Sequence, residues 1–200
     1  MKGGKKEYDI NQLRDYSSLF SRQEANLWYK NEFSSLKKKL DRYDKSFLNR
    51  GSTYVSYLKY VYKVLERFYP NEYVYKNEFI KQWLLEEIGQ SNAVLFNEFR
   101  MGKAVVDLAM FNGISKAFEI KTHLDKVTRL DNQLEQYKKL FNQIYVIVPE
   151  IKSDLYLKRD KETGVITYDQ DKSIFCLARK SIQNFEIDPE ALMQVLHTNE

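Results

Sequence analysis

The chain has 200 residues, 43% of them hydrophobic and 30% charged, a balance that excludes a disordered or fibrous chain and suffices for one well-buried domain with an extension. Its single cysteine, Cys176, excludes an internal disulfide framework and fits a reducing compartment. The formal net charge of +4 is uneven: residues 1–70 carry 15 Lys/Arg against 8 Asp/Glu, and residues 71–200 carry 17 against 20. The basic start "MKGGKKEYDINQL" has no apolar core after it and is not expected to be a signal peptide. No run approaches the ~18 apolar residues of a membrane span. A soluble, cytoplasmic protein is expected.

Residues 1–70 read as a basic helical extension. "QEANLWYKNEFSSLKKKLDRY" places Leu27, Trp28, Phe33, Leu36 and Leu40 near helical spacing. Its lysines Lys37, Lys38 and Lys39 form either a solvated face or contacts to a polyanion such as nucleic acid. "STYVSYLKYVYKVLERFY" follows Gly51, with Ser52 as candidate cap and Val55, Leu58, Val61, Val64, Leu65 and Phe68 as one stripe. Pro70-Asn71 ends that helix and marks a domain boundary. "EYVYKNEFIKQWLLEEIG" predicts a helix over 72–89, with Phe79, Trp83, Leu84 and Ile88 inward and Gly89 as the closing signal.

The period then changes. Residues 92–100, 103–111 and 115–122 are short strand-like runs separated by turns at Met101-Gly102 and Asn112-Gly113. Residues 126–143 are amphipathic, with Leu130, Leu134, Tyr137 and Phe141 on one face. "IYVIVPE" (144–150) suits a central strand covered on both faces. Residues 164–179 read as a hairpin around Asp169–Lys172, and residues 188–197 as a short closing helix capped by Asp188 with Pro189 first. The expected fold is α/β: a helix, a three-strand meander, a helix and a strand around a mixed sheet over 71–150, completed by a C-terminal hairpin and helix over 151–200.

Glu119 and Lys121 share one face of the third strand, opposite Phe118 and Ile120. Folding strands two and three about Gly113 pairs each residue i with 226 − i, which sets Asp107 against Glu119. Opposed carboxylates repel, and a hard divalent cation reverses that balance. Asp107, Glu119 and the backbone carbonyl of Ile120 are therefore candidate metal ligands, with Lys121 beside them to stabilise a nucleophile or developing charge. Pairing about Met101–Lys103 brings Glu98 towards Asp107 as a further ligand, and Arg100, on the face of Glu98, is a candidate phosphate contact. Gln133 and Tyr137, i and i+4 on the following helix, reach towards the same place. The plainer readings are a buried ion-pair cluster for the acids and lysine, ordinary surface for Glu98, Arg100 and Arg129, and ordinary helix surface plus core for Gln133 and Tyr137. His123 and Asp125 follow the motif directly. No phosphate-cradling glycine loop and no nucleophile elbow is present.

The order Asp107, then Glu119-Ile120-Lys121, within helix–strand–strand–strand–helix–strand resembles the PD-(D/E)xK nucleases of restriction-endonuclease-like fold. "NQLEQY", which supplies Gln133 and Tyr137, is similar to the Gln-xxx-Tyr motif of RecB-type exonuclease domains in that superfamily. The stretch from "EFRMGKAVVDLAMF" to "YVIVPE" also looks like a branch of small uncharacterised bacterial proteins assigned to it. The resemblance covers about residues 72–150, and Val106-Asp107 stands where the motif's name has Pro-Asp. It implies metal-dependent phosphodiester hydrolysis with Mg²⁺ or Mn²⁺. Asp107 and Glu119 match the metal-binding acids, and Lys121 the catalytic lysine. Glu78 matches the carboxylate on the preceding helix, with Glu98 as rival, and Gln133 and Tyr137 match the accessory positions. DNA is the expected substrate, with RNA open. Arg100, Arg129 and Lys37–Lys39 are expected contacts to it, and the N-terminal helices a phosphate-contact surface or an interface with a protein partner or second copy. The alternative is a catalytically silent nuclease fold that binds nucleic acid or a protein partner in a bacterial defence or mobile-element system.

Overall fold

The structure is a computed structural model that describes residues 7–47, 51–85 and 92–196. It divides into two compact units, Met1–Val74 and Tyr75–Glu200.

The first unit contains helices α1 (Ile10–Ser18), α2 (Arg22–Tyr29), α3 (Ser34–Tyr43) and α4 (Tyr54–Phe68). Asp9 and Ser21 cap α1 and α2 with their side-chain oxygens, satisfying N–H groups that have no partner in the first turn. The single helical pattern expected through residue 43 is two helices. Asn31, at φ 61°, adopts the left-handed conformation that closes α2. The Glu32 N–H then donates to Leu27 O at 2.8 Å and the Asn31 N–H to Trp28 O at 2.9 Å, the paired closure of a Schellman motif. At α4 the cap is Thr53 rather than Ser52, because Thr53 and Ser56 bond reciprocally as a capping box. The expected apolar stripe of α4 holds at Val61, Val64 and Leu65, but Val55 and Phe68 are 62% and 43% exposed and Tyr57 is buried instead. Tyr16 and Tyr57 both donate to Asp44, and burial followed by that carboxylate raises both phenols far above their ordinary range. Lys37 and Lys38 are exposed. Lys39 turns inward, bonding Ser35 Oγ at 2.9 Å and lying 3.9 Å from Glu24.

Helix α5 (Glu72–Phe79) runs into a π-helical turn, Ile80–Leu84. Ile88, Gly89 and His197 lie outside the described residues. The second unit is built on a six-stranded sheet in the order β1-β2-β3-β4-β5-β6. Its strands are β1 (Val94–Met101), β2 (Ala104–Phe111), β3 (Ser115–Ile120), β4 (Gln143–Pro149), β5 (Gly164–Asp169) and β6 (Ile174–Arg179). The β3–β4 and β4–β5 pairs are parallel and the others antiparallel. Helix α6 (Leu130–Lys138), entered through the 3₁₀ turn Val127–Arg129, makes the first crossover, and α7 (Ser153–Leu157) lies in the second. Helix α8 (Pro189–Leu196) closes the unit, its start capped by Asp188, which accepts from the Glu190 and Ala191 N–H groups at 2.9 and 3.2 Å. Every residue of β4 is buried, as the unbroken apolar run requires for a strand with neighbours on both sides and both faces covered.

One face of the sheet packs Val106, Ala117, Val146 and Val148 against Leu130, Leu134, Tyr137 and Phe141. The other packs Leu108, Phe118, Ile120 and Ile147 against Tyr75, Phe79 and Leu84. The β2–β3 register runs from Phe111↔Ser115 to Leu108↔Phe118, the pairing expected about Gly113, whose φ of 92° makes the turn. Between β1 and β2 the register passes from Asn97↔Leu108 to Phe99↔Val106, with Glu98 and Asp107 at the row between them. At this row both strands reverse their faces. Leu95, Leu108 and Met110 belong to one apolar layer, while Phe99, Met101, Ala104 and Val106 belong to the other. Regular alternation would keep residues of equal parity on one side. The reversal has a visible cause in Glu98, whose φ of 56° is left-handed in the middle of a strand.

Gly164 opens β5 where a Cβ would meet the Tyr145 ring at 2.3 Å and the Ser181 backbone nitrogen at 2.8 Å. Tyr145 is buried and the Ser181 contact is main chain, so neither can give way cheaply. Gly164→Ala is expected to destabilise the second unit by about 1–3 kcal/mol, the usual magnitude of overpacking, measured as a lower denaturant midpoint at unchanged slope.

Candidate functional site

Glu119 follows Ala117 on the α6 face of β3 and is only 2% exposed. A carboxylate so removed from water needs several hydrogen bonds to be tolerated. Its Oε1 accepts from Lys121 Nζ at 2.6 Å and from Gln133 Nε2 at 2.9 Å. Its Oε2 lies 2.7 Å from the Tyr137 hydroxyl. Gln133 returns its other end to the lysine, accepting from Lys121 Nζ at 3.1 Å. One turn of α6 thus grips both members of the Glu119/Lys121 pair, because residues four apart on a helix face the same way.

Tyr137 is fully buried, and its hydroxyl lies 2.7 Å from the Val105 carbonyl as well as from Glu119. One proton is shared between two acceptors. Burial first, then the charges of Glu119 and Asp107, hold its pKa far above the ordinary phenol range, so it remains a donor. The hydroxyl ties β2, through Val105, to the acid on β3.

Asp107 sits where the β2–β3 ladder has stopped. The register opposes it to Glu119, but its Oδ2 instead accepts the Ile120 backbone N–H at 2.7 Å. The side chain replaces a carbonyl in the ladder, which the face reversal at Glu98/Asp107 allows. Lys121 continues the parallel pairing beyond β3, its N–H donating to Ile147 O at 2.9 Å, and this fixes the stem of a side chain that is 12% exposed. Beyond it, Asp125 Oδ2 accepts from both the N–H and the hydroxyl of Thr122 at 2.7 Å, a tight side-chain-capped turn. His123 is exposed in that turn; partial burial first, and then Lys152, lower its pKa while Asp125 opposes them.

Asp107, Glu119, Lys121, Gln133 and Tyr137 are therefore brought together. Glu98 and Glu78 do not join them as a third acid: among the described residues no three His, Cys, Asp or Glu side chains gather as a metal-holding group. For Glu98 the reason is the left-handed backbone that turns its side chain to the exposed side of an edge strand. Glu78, 4% exposed, lies on the helical segment that covers the other apolar layer, 3.2 Å from Gln82 Nε2 and 3.7 Å from Lys81 Nζ. Asp107, Glu119 and the Ile120 backbone carbonyl are hard oxygen donors of the type that Mg²⁺ and Mn²⁺ take, one or two protein carboxylates with water and phosphate completing the shell. Arg129 is exposed at the entry to α6 and, with Gln133, lines a cleft of about 980 Å³ between the β1–β2 turn, α6 and the start of α8. Arg100 is exposed on β1 away from that lining. Lys37–Lys39 belong to the first unit. Two features had no simple signal in the sequence: the Val105 carbonyl as anchor for Tyr137, and Asp107 as acceptor for Ile120.

The dual position of Asp107 separates charge from hydrogen bonding. Asp107→Ala leaves the buried Ile120 N–H without its acceptor and is expected to cost about 1–3 kcal/mol. Asp107→Asn keeps an acceptor oxygen and is expected to retain most of that stability. Amide exchange at Ile120, fast in the alanine variant and slow in the asparagine variant, checks the assignment.

Among curated proteins the chain is similar to "Protein cII" of Enterobacteria phage P4, at 30% identity over 95 residues, covering 46% of this chain and 36% of that protein. The match thus spans about a third of that relative's length. Among solved structures it is similar to a protein of unknown function from Silicibacter pomeroyi, SPO1766, with a TM-score of 0.45 at 13% identity over 60% of this chain and 77% of that one. A second is an XisH family protein from Nostoc punctiforme, with a TM-score of 0.33 at 15% identity over 50% and 94%. The family described as "Bacteriophage P4 protein cII" matches residues 65–200, which hold the whole sheet and every residue of the cluster, and the chain belongs to that family.

Proposed function

We propose that the second unit is a restriction-endonuclease-like core of the PD-(D/E)xK kind and acts as a divalent-metal-dependent nuclease on DNA. The observation that carries this reading is the joint placement of Asp107, Glu119, Lys121, Gln133 and Tyr137 in one hydrogen-bonded group across two adjoining strands and one helix. Asp107, Glu119 and the Ile120 carbonyl would hold Mg²⁺ or Mn²⁺, which when bound supplies Lewis acidity and a water of lowered pKa.

The chain's own groups do the rest. Lys121 presents an ammonium to the charge that develops at phosphorus, in a site where little water competes with it. Gln133 sets the position of that ammonium, since its amide oxygen accepts from Nζ while its amide nitrogen holds Glu119. Tyr137 fixes the carboxylate plane of Glu119 from below by a donor that burial keeps protonated. Asp107, bonded to the Ile120 N–H, keeps the two acids at neighbouring strand positions without crossing the ladder.

One observation favours a second reading, a silent nuclease fold that binds nucleic acid or a partner. Glu119 has both oxygens engaged by three side chains of this chain. Membership of a family named for a phage protein agrees with a mobile-element setting for either reading.

Cleavage of supercoiled plasmid and of single-stranded DNA with Mg²⁺ or Mn²⁺ decides between them. The nuclease reading expects wild-type cutting and a loss of at least about 10² in rate for Asp107→Asn, Glu119→Gln and Lys121→Ala, the magnitude usual for removing one catalytic group. Equal cutting by all three variants sinks the residue assignment. A wild-type protein that binds DNA and never cuts it selects the silent reading.

A further inference from the structure

We propose that the cleft beside Gln133 seats a single strand of DNA and leads it to the Glu119/Lys121 group. Delivery to that group rests on the nuclease reading; the seat itself does not.

Helix α6 and its flanks carry two stripes. Leu130, Leu134, Tyr137 and Phe141 face the core. Arg129, Asn132, Gln133, Gln136 and Lys139 stand at i, i+3, i+4, i+7 and i+10, and all of them line the cleft. At a rise of ~1.5 Å per residue they form a polar track roughly 15 Å long. Gln133 is the point where the track meets the buried cluster, because its amide holds Glu119 and Lys121.

The cations on this track are open to a ligand. Lys121, Lys138 and Arg159 are all salt-bridged. Arg129 and Lys139, with Lys103 from the β1–β2 turn, are exposed and make no side-chain ion pair or hydrogen bond among the described residues. Asp188 and Glu190 line the α8 side of the same cleft; the Asp188 N–H donates to Lys139 O at 2.9 Å at the end of the track, and the Asp188 carboxylate is already occupied in capping α8. The cleft is thus polarised, with cations along α6 and the turn and carboxylates along α8. A strand of nucleic acid has the matching polarity. Its phosphates take unpaired Lys and Arg, and its base edges take amides and carboxylates. Asn132, Gln136 and Gln194 supply amides, each with a donor and an acceptor to offer.

The amides and carboxylates of the cleft select an unpaired strand, whose splayed bases offer hydrogen-bonding edges that a duplex keeps paired. The cleft volume is about 980 Å³. It lies at the upper end of the ~300–1,000 Å³ typical of ligand clefts.

The test is fluorescence anisotropy of the full chain in EDTA, with a labelled single-stranded oligonucleotide and its duplex as probes across a range of salt. Arg129→Ala/Lys139→Ala is expected to weaken binding of the strand about tenfold more than binding of the duplex. Its log–log salt slope for the strand should fall by about 1.4, at ~0.7 for each phosphate no longer neutralised. Gln136→Ala/Gln194→Ala should weaken the strand at an unchanged slope, since these residues touch no phosphate. All four positions are exposed, and an unchanged melting temperature confirms that each variant is folded. Strand affinity and slope left unaltered by Arg129→Ala/Lys139→Ala overturn the seat. So does an equal loss for strand and duplex, or displacement of the strand by polyglutamate at matched charge, which shows plain cation attraction. Binding as described without cutting by the wild type retains the seat and removes the nuclease reading. Cutting of single strands by Arg129→Ala/Lys139→Ala at the wild-type rate and affinity does the reverse.

Discussion

The buried carboxylate of Glu119 is the constraint around which the second unit is arranged. At 2% exposure it cannot be left to water, and the cost of an unpaired buried charge is several kcal/mol. Its three donors come from the residue two positions on and from one face of α6. That requirement fixes α6 in rotation and height against the sheet, since Gln133 and Tyr137 must reach one carboxylate together. The apolar stripe of the same helix and its C-terminal flank, Leu130, Leu134 and Phe141, packs on the sheet in that same docking. Polar satisfaction and core packing agree on one docking geometry, the consistency that gives a fold a single solution.

The second constraint is the row Glu98/Asp107. A regular three-strand meander would point Asp107 straight at Glu119 on one face of the pleat, with two carboxylates about 4.5–5.5 Å apart at Cβ. The left-handed residue in β1 and the reversal at this row relieve this. The Asp107 carboxylate accepts the Ile120 backbone N–H. The same reversal sends Phe99, Met101, Ala104 and Val106 to the α6 side, so the end of the β1–β2 hairpin becomes a wall of the cleft rather than a continuation of the flat sheet. One strained backbone position therefore shapes both the acid pair and the approach to it, and strain of this kind, ~1–3 kcal/mol, persists where surrounding structure over-determines it.

Much of this was legible in residues alone. Alternating strands, the Asn112-Gly113 turn and the all-apolar 144–150 run led to the correct meander, register and central strand, because each signal is local and period-driven. The cap of α8 at Asp188 and the hairpin of β5 and β6 were legible for the same reason. The break between α2 and α3 was not. Asn31 is a weak stop signal beside a continuous apolar spacing, and only the pair of bonds from Asn31 and Glu32 reveals it. Nor was the inward turn of Lys39, since a run of three lysines looks the same whether or not one of them meets Glu24. In the cluster, pair distances along β3 and α6 could be anticipated from strand and helix periods. The reversal at Glu98 could not, because a glutamate has no sequence-visible preference for positive φ and regular alternation was the natural assumption.

The polar stripe of α6 shows how a function-bearing pattern hides in an ordinary helix. Read for its core, the segment yields Leu130, Leu134, Tyr137 and Phe141 and nothing else. The complementary positions look like routine solvent-facing residues until the β1–β2 turn and α8 are set across from them and turn an open surface into a cleft. Gln133 is the residue common to both descriptions. Its side chain is half-buried, one edge against Glu119 and Lys121 and its flank against the cleft. A helix that must both clamp a buried acid and line an approach to it needs such a residue at the seam, long enough to reach inward and neutral enough to stay there. Glutamine meets both demands where a glutamate would add a second buried charge and a leucine would leave Glu119 one donor short.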